Sequence, residues 1–186
     1  MVDYEADAIE LVESEFDCWR DRFRAERERI RDALSEAGLA DAVVRIEHVG
    51  STAVPDLAAK DVVDVDVVVA DDAVGDVAGV IADALGGTLH RNHDGWHPVF
   101  RERDGQRFNV HVFARSADGW KTSVATRDVL REHHGLRVDY EREKRALAAE
   151  TDDVETYSRG KTDVVERIVD RARTDADLAF EFAVPE

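Results

Sequence analysis

Basic residues are scarce in this chain of 186 residues: 25 Lys and Arg stand against 42 Asp and Glu, for a formal net charge of −17 and a pI near 4.7. That balance argues against a basic footprint for gripping nucleic acid non-specifically. Cysteine is nearly absent. Cys18 alone excludes an intrachain disulfide and any multi-cysteine metal site, and its expected place is the core, as a small apolar residue. No stretch reaches 18 uninterrupted apolar residues, and the N-terminal MVDYEADAIELVESEF is acidic where a secretory signal is basic and then apolar. The expectation is a cytoplasmic protein without a membrane partner. What is present is 44% hydrophobic residues, enough for one sizeable core, so a single domain over residues 1–186 is expected.

The acidity runs along the whole chain rather than gathering in a tail, and the basic residues are 21 Arg and only 4 Lys. Self-repulsion from this charge weakens a compact state in dilute buffer, whereas at molar salt the Debye length falls to roughly 3 Å. The composition predicts a salt-rich, halophilic setting; balance by a basic protein partner is the alternative.

Apolar residues Ile9, Val12, Phe16, Trp19, Phe23, Ile30 and Leu34 recur mostly at steps of three and four ahead of Gly38, which predicts an amphipathic helix over 8–37. AVVRIEHV (42–49) and DVVDVDVVVA (61–70) read as strands, the second more continuously apolar and therefore central. AVGDVAGVIADAL (73–85) reads as a helix closing at Gly86-Gly87. TLHRNH, HPVFRER and QRFNVHVFAR predict three more strands, with Asp104-Gly105 as a hairpin turn between the last two. Helical patterns follow at Trp120–Glu132, Leu136–Glu150 and Asp153–Arg173, and a short tail (174–186) closes the chain. The reading is one α+β domain: an initial helix, a mixed sheet of about five strands and a helical C-terminal third.

The stretch HVGSTAVPDLAAKDVVDVDVVV, residues 48–69, carries the most chemistry. Gly50, Ser51 and Thr52 at a strand end offer close backbone approach, two hydroxyls and N–H groups suited to phosphate oxygens; alone, such a turn serves chain reversal equally well. Asp64 and Asp66 lie two apart in a strand, so both carboxylates project from one face about 6.5 to 7 Å apart while valines face the other way. Like charges so placed repel unless a cation sits between them, and carboxylates with water and phosphate oxygens are what Mg²⁺ prefers. Two solvated aspartates on an amphipathic strand are the plainer reading.

A glycine-serine turn followed by strand aspartates 13 and 15 residues after Ser51 resembles the nucleotidyltransferase superfamily, and EHVGSTAVPDLAAKDVVD more closely resembles the GrpB family, a branch of that fold. The likeness continues through FNVHVFARSADGWKTSVATRDVLREH, Tyr140 with Lys144, and TYSRGKTDVVERI, covering about residues 45–170. It implies a minimal nucleotidyltransferase-like domain, with Gly50 and Ser51 near nucleotide phosphates and Asp64 and Asp66 near a divalent metal. Relatives that turn over nucleotides usually supply a third carboxylate from a later strand, where this chain has Asn109 and His111. A neutral imidazole can ligate a metal or act as a base but adds no negative charge, so His111 points to Mn²⁺ over Mg²⁺, to a different active site, or to binding without turnover.

Lys60, Arg127, Arg131, Lys144 and Lys161 stand where the GrpB pattern also carries basic residues, and are candidate phosphate contacts. Arg127 and Arg131 equally suit a solvated helix face, with Asp128 as a partner. Tyr140 and Tyr157 could stack on a base or simply pack. His90, His93 and His97 are close in sequence, but no single element forces them to converge, and His48 fits either the pocket or a hydrogen-bonded core position. The expected function is binding of a nucleotide or other phosphorylated small molecule, with metal-dependent nucleotidyl or phosphoryl transfer if catalytic. The rival is a non-catalytic accessory module. In some bacterial proteins a GrpB-like region is joined to dephospho-CoA kinase, which suggests a coenzyme A-related or folding-accessory role; an antitoxin-like role is a third option. No G-x-x-x-x-G-K-[ST] loop occurs, so this chain carries no kinase part of its own.

Overall fold

In the computed structural model, which describes residues 9–93 and 95–186, the β-branched alternating segments become strands β1 (Val43–Val49), β2 (Val62–Val69), β3 (Thr88–Leu89), β4 (Trp96–Arg103) and β5 (Gln106–Ala114). They form one mixed sheet in the order β1-β2-β5-β4-β3. β2 is antiparallel to β1 and parallel to β5, so its valines are flanked on both sides, as a nearly continuous apolar run requires. The path from β2 to its parallel neighbour passes through α2 (Val74–Leu85) and β4. β4 turns into β5 at Asp104-Gly105, whose φ values of 52° and 79° are the left-handed pair a tight hairpin needs.

The two faces of this sheet have different fates. Val63, Val65, Val67 and Val69 of β2, with Phe108, Val110 and Val112 of β5, pack beneath α1 (Phe16–Glu36) and α2 in a single core that includes Trp19, Phe23, Ile30, Leu34 and Ile81. The other face is covered in part by α3 (Gly119–Glu132), followed by α4 (His134–Glu150), α5 (Val154–Gly160) and α6 (Thr162–Thr174). A second apolar cluster joins Val54 and Leu57 to Val129, Leu130, Tyr140, Val164 and Ile168 of these helices. Among the described residues, no helix is long and apolar enough to cross a membrane.

Four expectations need correction. The first helix starts at Phe16, not residue 8; within 9–15 the chain is not helical, and Val12 instead exchanges backbone hydrogen bonds with Ala59 (2.8 and 3.0 Å). Residue 8 itself lies outside the described residues. Cys18 is exposed rather than core, because Trp19, Phe23, Ile30 and Leu34 take the inward stripe and a residue one step before Trp19 is turned about 100° away. TLHRNH yields only a two-residue strand. The helix expected over 153–173 breaks in two at Lys161, next to Gly160, where a Cβ would sit 2.5 Å from Leu147 Cδ2: α5 is pressed onto α4 too closely for a side chain. The tail packs rather than frays, with Leu178, Phe180 and Val184 against the helical cluster and Phe182 edge-on to Trp120.

Candidate functional site

Period-2 geometry and sheet register assemble the site. Asp64 lies opposite Asn109 and Asp66 opposite His111 across the parallel β2–β5 pair, while Glu47 of β1 lies opposite Asp66 on its other side. All five therefore share the face under α3. Glu47 is a carboxylate that reading along single strands does not reveal; its position beside Asp66 exists only once β1 and β2 are in register. The Gly-Ser turn closes one end of the group. Gly50 has φ 70°, and an added Cβ would lie 2.2 Å from Asp64 Oδ2, so the turn's backbone rests directly on the Asp64 carboxylate.

The two aspartates differ. Asp64 is half-buried and accepts a hydrogen bond from Asn109 Nδ2 (3.1 Å). Asp66 is fully buried and neither of its oxygens has a hydrogen-bond partner. Burial raises its pKa well above the usual carboxylate range; repulsion from Asp64 and Glu47 pushes the same way, while Ser123 and Arg127 oppose. Ser123 nevertheless donates its hydroxyl proton to the Gly119 carbonyl (3.1 Å). An orphaned carboxylate is costly, and one beside two others suits a site that a cation completes.

Three of the chain's four lysines converge here from separate elements. Lys144 of α4 is buried and donates to Ser51 Oγ (2.9 Å) and to the Ala58 carbonyl. Burial, aided by Lys161, lowers its pKa to about 7, while Asp64 and Glu141 pull upward. Lys161 is lowered to about 8 by burial and by Lys60, with Asp64 opposing. Lys60 is likewise lowered by burial and raised by Asp64. Lys60 and Lys161 both lie over the Tyr157 ring (5.7 and 4.4 Å), and Lys144 lies 5.3 Å from the Tyr140 centroid. Asp64 is thus the one carboxylate felt by all three ammonium groups. Tyr140 and Tyr157 are both buried, walling this cluster.

Other sequence candidates already have partners within the protein. Arg127 donates to Glu47 (2.8 Å), the His48 carbonyl (3.0 Å) and Asp128 (2.7 Å). Arg131 forks onto the Ala53 carbonyl (3.0 and 2.8 Å). Both tie α3 to the chain around the Gly-Ser turn; Arg127 is half-buried and also lines the small cavity beside Gly50 and Ser51, while Arg131 stays exposed with Asp128 3.7 Å away. Thr52 is buried with its Oγ1 3.1 Å from His48 Nε2, and His48 stacks on Phe23. This histidine belongs to the core face, where burial and the nearby Arg131 and Arg127 hold its pKa down to about 3. His111 accepts at Nδ1 from Trp96 Nε1 (3.2 Å), and burial lowers its pKa with Asp64 opposing. His97 lies opposite Val112, on the face away from His111, so His90, His93, His97 and His111 do not gather at one point, although His93 and His111 both line a cavity beside Trp96. Among the described residues, no three His, Cys, Asp or Glu side chains are already gathered tightly enough to hold a metal ion by themselves.

Two cavities adjoin the Gly-Ser turn and Lys161. One of about 200 Å³ is bounded by Gly50, Ser51, Ser123, Thr126 and Tyr140. It shares Thr122, Tyr140 and Val165 with a cavity of about 580 Å³ that reaches Lys161.

The chain matches the family described as GrpB protein over residues 8–171. It is 37% identical to a UPF0157 protein of Streptomyces coelicolor over 168 residues, covering 89% of this chain and 86% of that one. It is 35% identical to a UPF0157 protein of Halalkalibacterium halodurans over 157 residues, 83% and 77% of the two chains. The crystal structure of conserved protein GrpB from Enterococcus faecalis superposes with a TM-score of 0.74 at 24% identity, covering 88% of this chain and 96% of the other. The α+β fold, a mixed five-stranded sheet with flanking helices and a helical C-terminal third, is accordingly shared with that GrpB structure. A match over almost the whole chain, with relatives above 30% identity along most of both lengths, makes this protein a member of the GrpB family.

Proposed function

We propose that the cleft between the Gly50-Ser51 turn and α4–α6 binds the phosphates of a nucleotide or similar phosphorylated small molecule. The observation that carries this reading is the convergence of Lys60, Lys144 and Lys161 on Ser51 and Asp64 in an otherwise strongly acidic chain. Lysines whose charge is suppressed by burial and by one another gain most from an anion, because the anion stabilises each ammonium form. The Gly50 backbone approaches without a Cβ, and Ser51 Oγ is already oriented by Lys144.

Asp64 and Asp66 would hold a divalent cation jointly with the ligand's phosphates, the two-carboxylate arrangement that suits Mg²⁺ or Mn²⁺. The unpartnered oxygens of buried Asp66 fit such an ion. When bound, the metal would polarise the phosphoryl group for nucleotidyl or phosphoryl transfer. The lysines would neutralise phosphate charge, Asn109 would hold the Asp64 carboxylate in orientation, and the buried tyrosines would exclude water.

The test is calorimetric titration in molar KCl, the condition the acid excess favours, with ATP, GTP, CTP, UTP and coenzyme A, each with Mg²⁺ and Mn²⁺. Metal-dependent binding that is lost in Asp64→Asn and Asp66→Asn, with unfolding curves still cooperative, is the expected result. Unchanged binding in both variants refutes the metal assignment. Absence of binding to every ligand refutes the phosphate cleft and leaves the accessory-module reading.

A further inference from the structure

Across Ser123 from the lysine side lies an open cavity of about 590 Å³ lined by His93, Trp96, His111, Phe113, Asp118 and Gly119. Ser123 borders both this cavity and the one beside Gly50 and Ser51, so the two adjoin across that residue. The lining is unlike the lysine side. Among the described residues it contains no Lys or Arg, and the carboxylate of Asp118 there already accepts from Lys121 Nζ (2.8 Å). Aromatic groups dominate: Trp96 and Phe113, opposite each other across β4 and β5, lie nearly parallel at 10° with centroids 5.9 Å apart, and His93 and His111 flank Trp96 at 5.8 and 5.7 Å. Gly119 stands at the rim, where a Cβ would strike Phe113 Cε1 at 2.7 Å; glycine keeps α3 close to this wall.

We infer that this cavity takes the planar, uncharged ring of the ligand bound at the neighbouring cleft, a nucleobase or comparable heteroaromatic ring stacked on Trp96. The inference rests on the phosphate reading above for its neighbour but on separate residues for itself. A flat, polarizable wall suits a π-face, and stacking on it is tolerant of ring identity. Polar edges are met by three groups already in place. Because the indole N–H of Trp96 donates to His111 Nδ1, neutral His111 carries its proton on Nε2 and acts there as a hydrogen-bond donor. Asp118 and Ser123 supply acceptor oxygens at the rim. Trp96 is consequently the residue on which the ring stacks, and it also sets the His111 tautomer.

The ring has two sources, the nucleotide's own base or a second substrate, and both are covered by one experiment. Trp96 is the only half-buried tryptophan of three, since Trp19 and Trp120 are 0% and 5% exposed, so its fluorescence reports the cavity. The full chain in molar KCl is titrated with adenosine, uridine, inorganic tripolyphosphate and ATP, by fluorescence and calorimetry. Saturable quenching by the uncharged nucleosides is expected, with about tenfold weaker calorimetric binding in Trp96→Ala and undiminished tripolyphosphate binding. Should Trp96→Ala fail to fold, Trp96→Phe keeps the ring and must abolish quenching; quenching that persists in it overturns the inference. Adenosine that no longer quenches ATP-saturated protein assigns the site to the nucleotide's base, and adenosine that still quenches assigns it to a second substrate. Tripolyphosphate binding with no nucleoside response overturns the ring site and leaves the phosphate cleft standing. Nucleoside quenching without tripolyphosphate binding does the reverse.

Discussion

One strand, β2, presents two faces that follow opposite rules. Toward α1 and α2, Val63, Val65, Val67 and Val69 are completely buried among aliphatic and aromatic side chains. Toward α3, Asp64 and Asp66 are held against Glu47, Asn109 and His111, with buried oxygens of Asp66 and Asn109 left without partners. Each face repeats every second residue, so neither can be changed by slipping the register without turning valines into the cleft and carboxylates into the core. The valine face thereby secures the geometry of the acidic one. Burial on one side supplies stability, and the other side holds polar groups in positions that a free chain would never keep, as functional sites commonly do.

The comparison is sharpened most strongly by a charged group inside the core, Glu26, which pairs with Arg101 and also with Arg29 (2.7 Å). Glu26 of α1 is fully buried against Arg101 of β4, which also donates to the Gly86 carbonyl (3.1 Å). Glu26→Ala leaves the buried Arg101 charge without its carboxylate, with the Gly86 and Leu85 carbonyls still accepting from it, and is expected to cost about 3–5 kcal/mol, read as a shift in urea midpoint. Val65→Ala, which only deletes methyl groups on the same face, is expected to cost about 1–3 kcal/mol in that assay.

On the acidic face the sign reverses. Asp66→Asn is expected to stabilise the unliganded protein at neutral pH by about 1–3 kcal/mol, because it removes a carboxyl whose ionised form is disfavoured by burial and by Asp64 and Glu47. Because the folded pKa of Asp66 is raised, the folded state holds its proton longer than the unfolded one. Wild-type stability is therefore expected to fall as pH rises from near 4 through that raised value, and Asp66→Asn to lose this slope. A variant as unstable at neutral pH as Val65→Ala would erase the distinction between the faces.

A smaller effect belongs to the lysine cluster. With Lys144 near 7 and Lys161 near 8, anion affinity is expected to weaken about tenfold from pH 6.5 to pH 9 as both lose their protons. Calorimetry with tripolyphosphate and no metal checks this. A flat profile would place the anion elsewhere.

Much of this was legible along the chain. The alternation in β1, β2 and β5, the Asp104-Gly105 hairpin and the stop at Gly38 are local signals, each set by backbone sterics within a few residues. Asp64 and Asp66 share a face because any strand makes them do so. The start of α1 was not legible, since Ile9 and Val12 keep a helical spacing but Val12 is claimed by Ala59, 47 positions onward. Nor was the fate of Arg127 and Arg131, because whether a guanidinium meets solvent or a carbonyl depends on what α3 packs against.

The sequence alone determined most of the elements, the acidic pair and the glycine beside it, because these follow from side-chain period and from φ/ψ preference at single positions. Tertiary structure decided that Glu47 stands beside Asp66, that three lysines from distant segments meet at Ser51 and Asp64, and that Trp96 caps His111. Those outcomes depend on register and packing between segments far apart in the chain, and the burial that shifts Asp66, Lys144 and Lys161 exists only after the sheet and helices have closed over them.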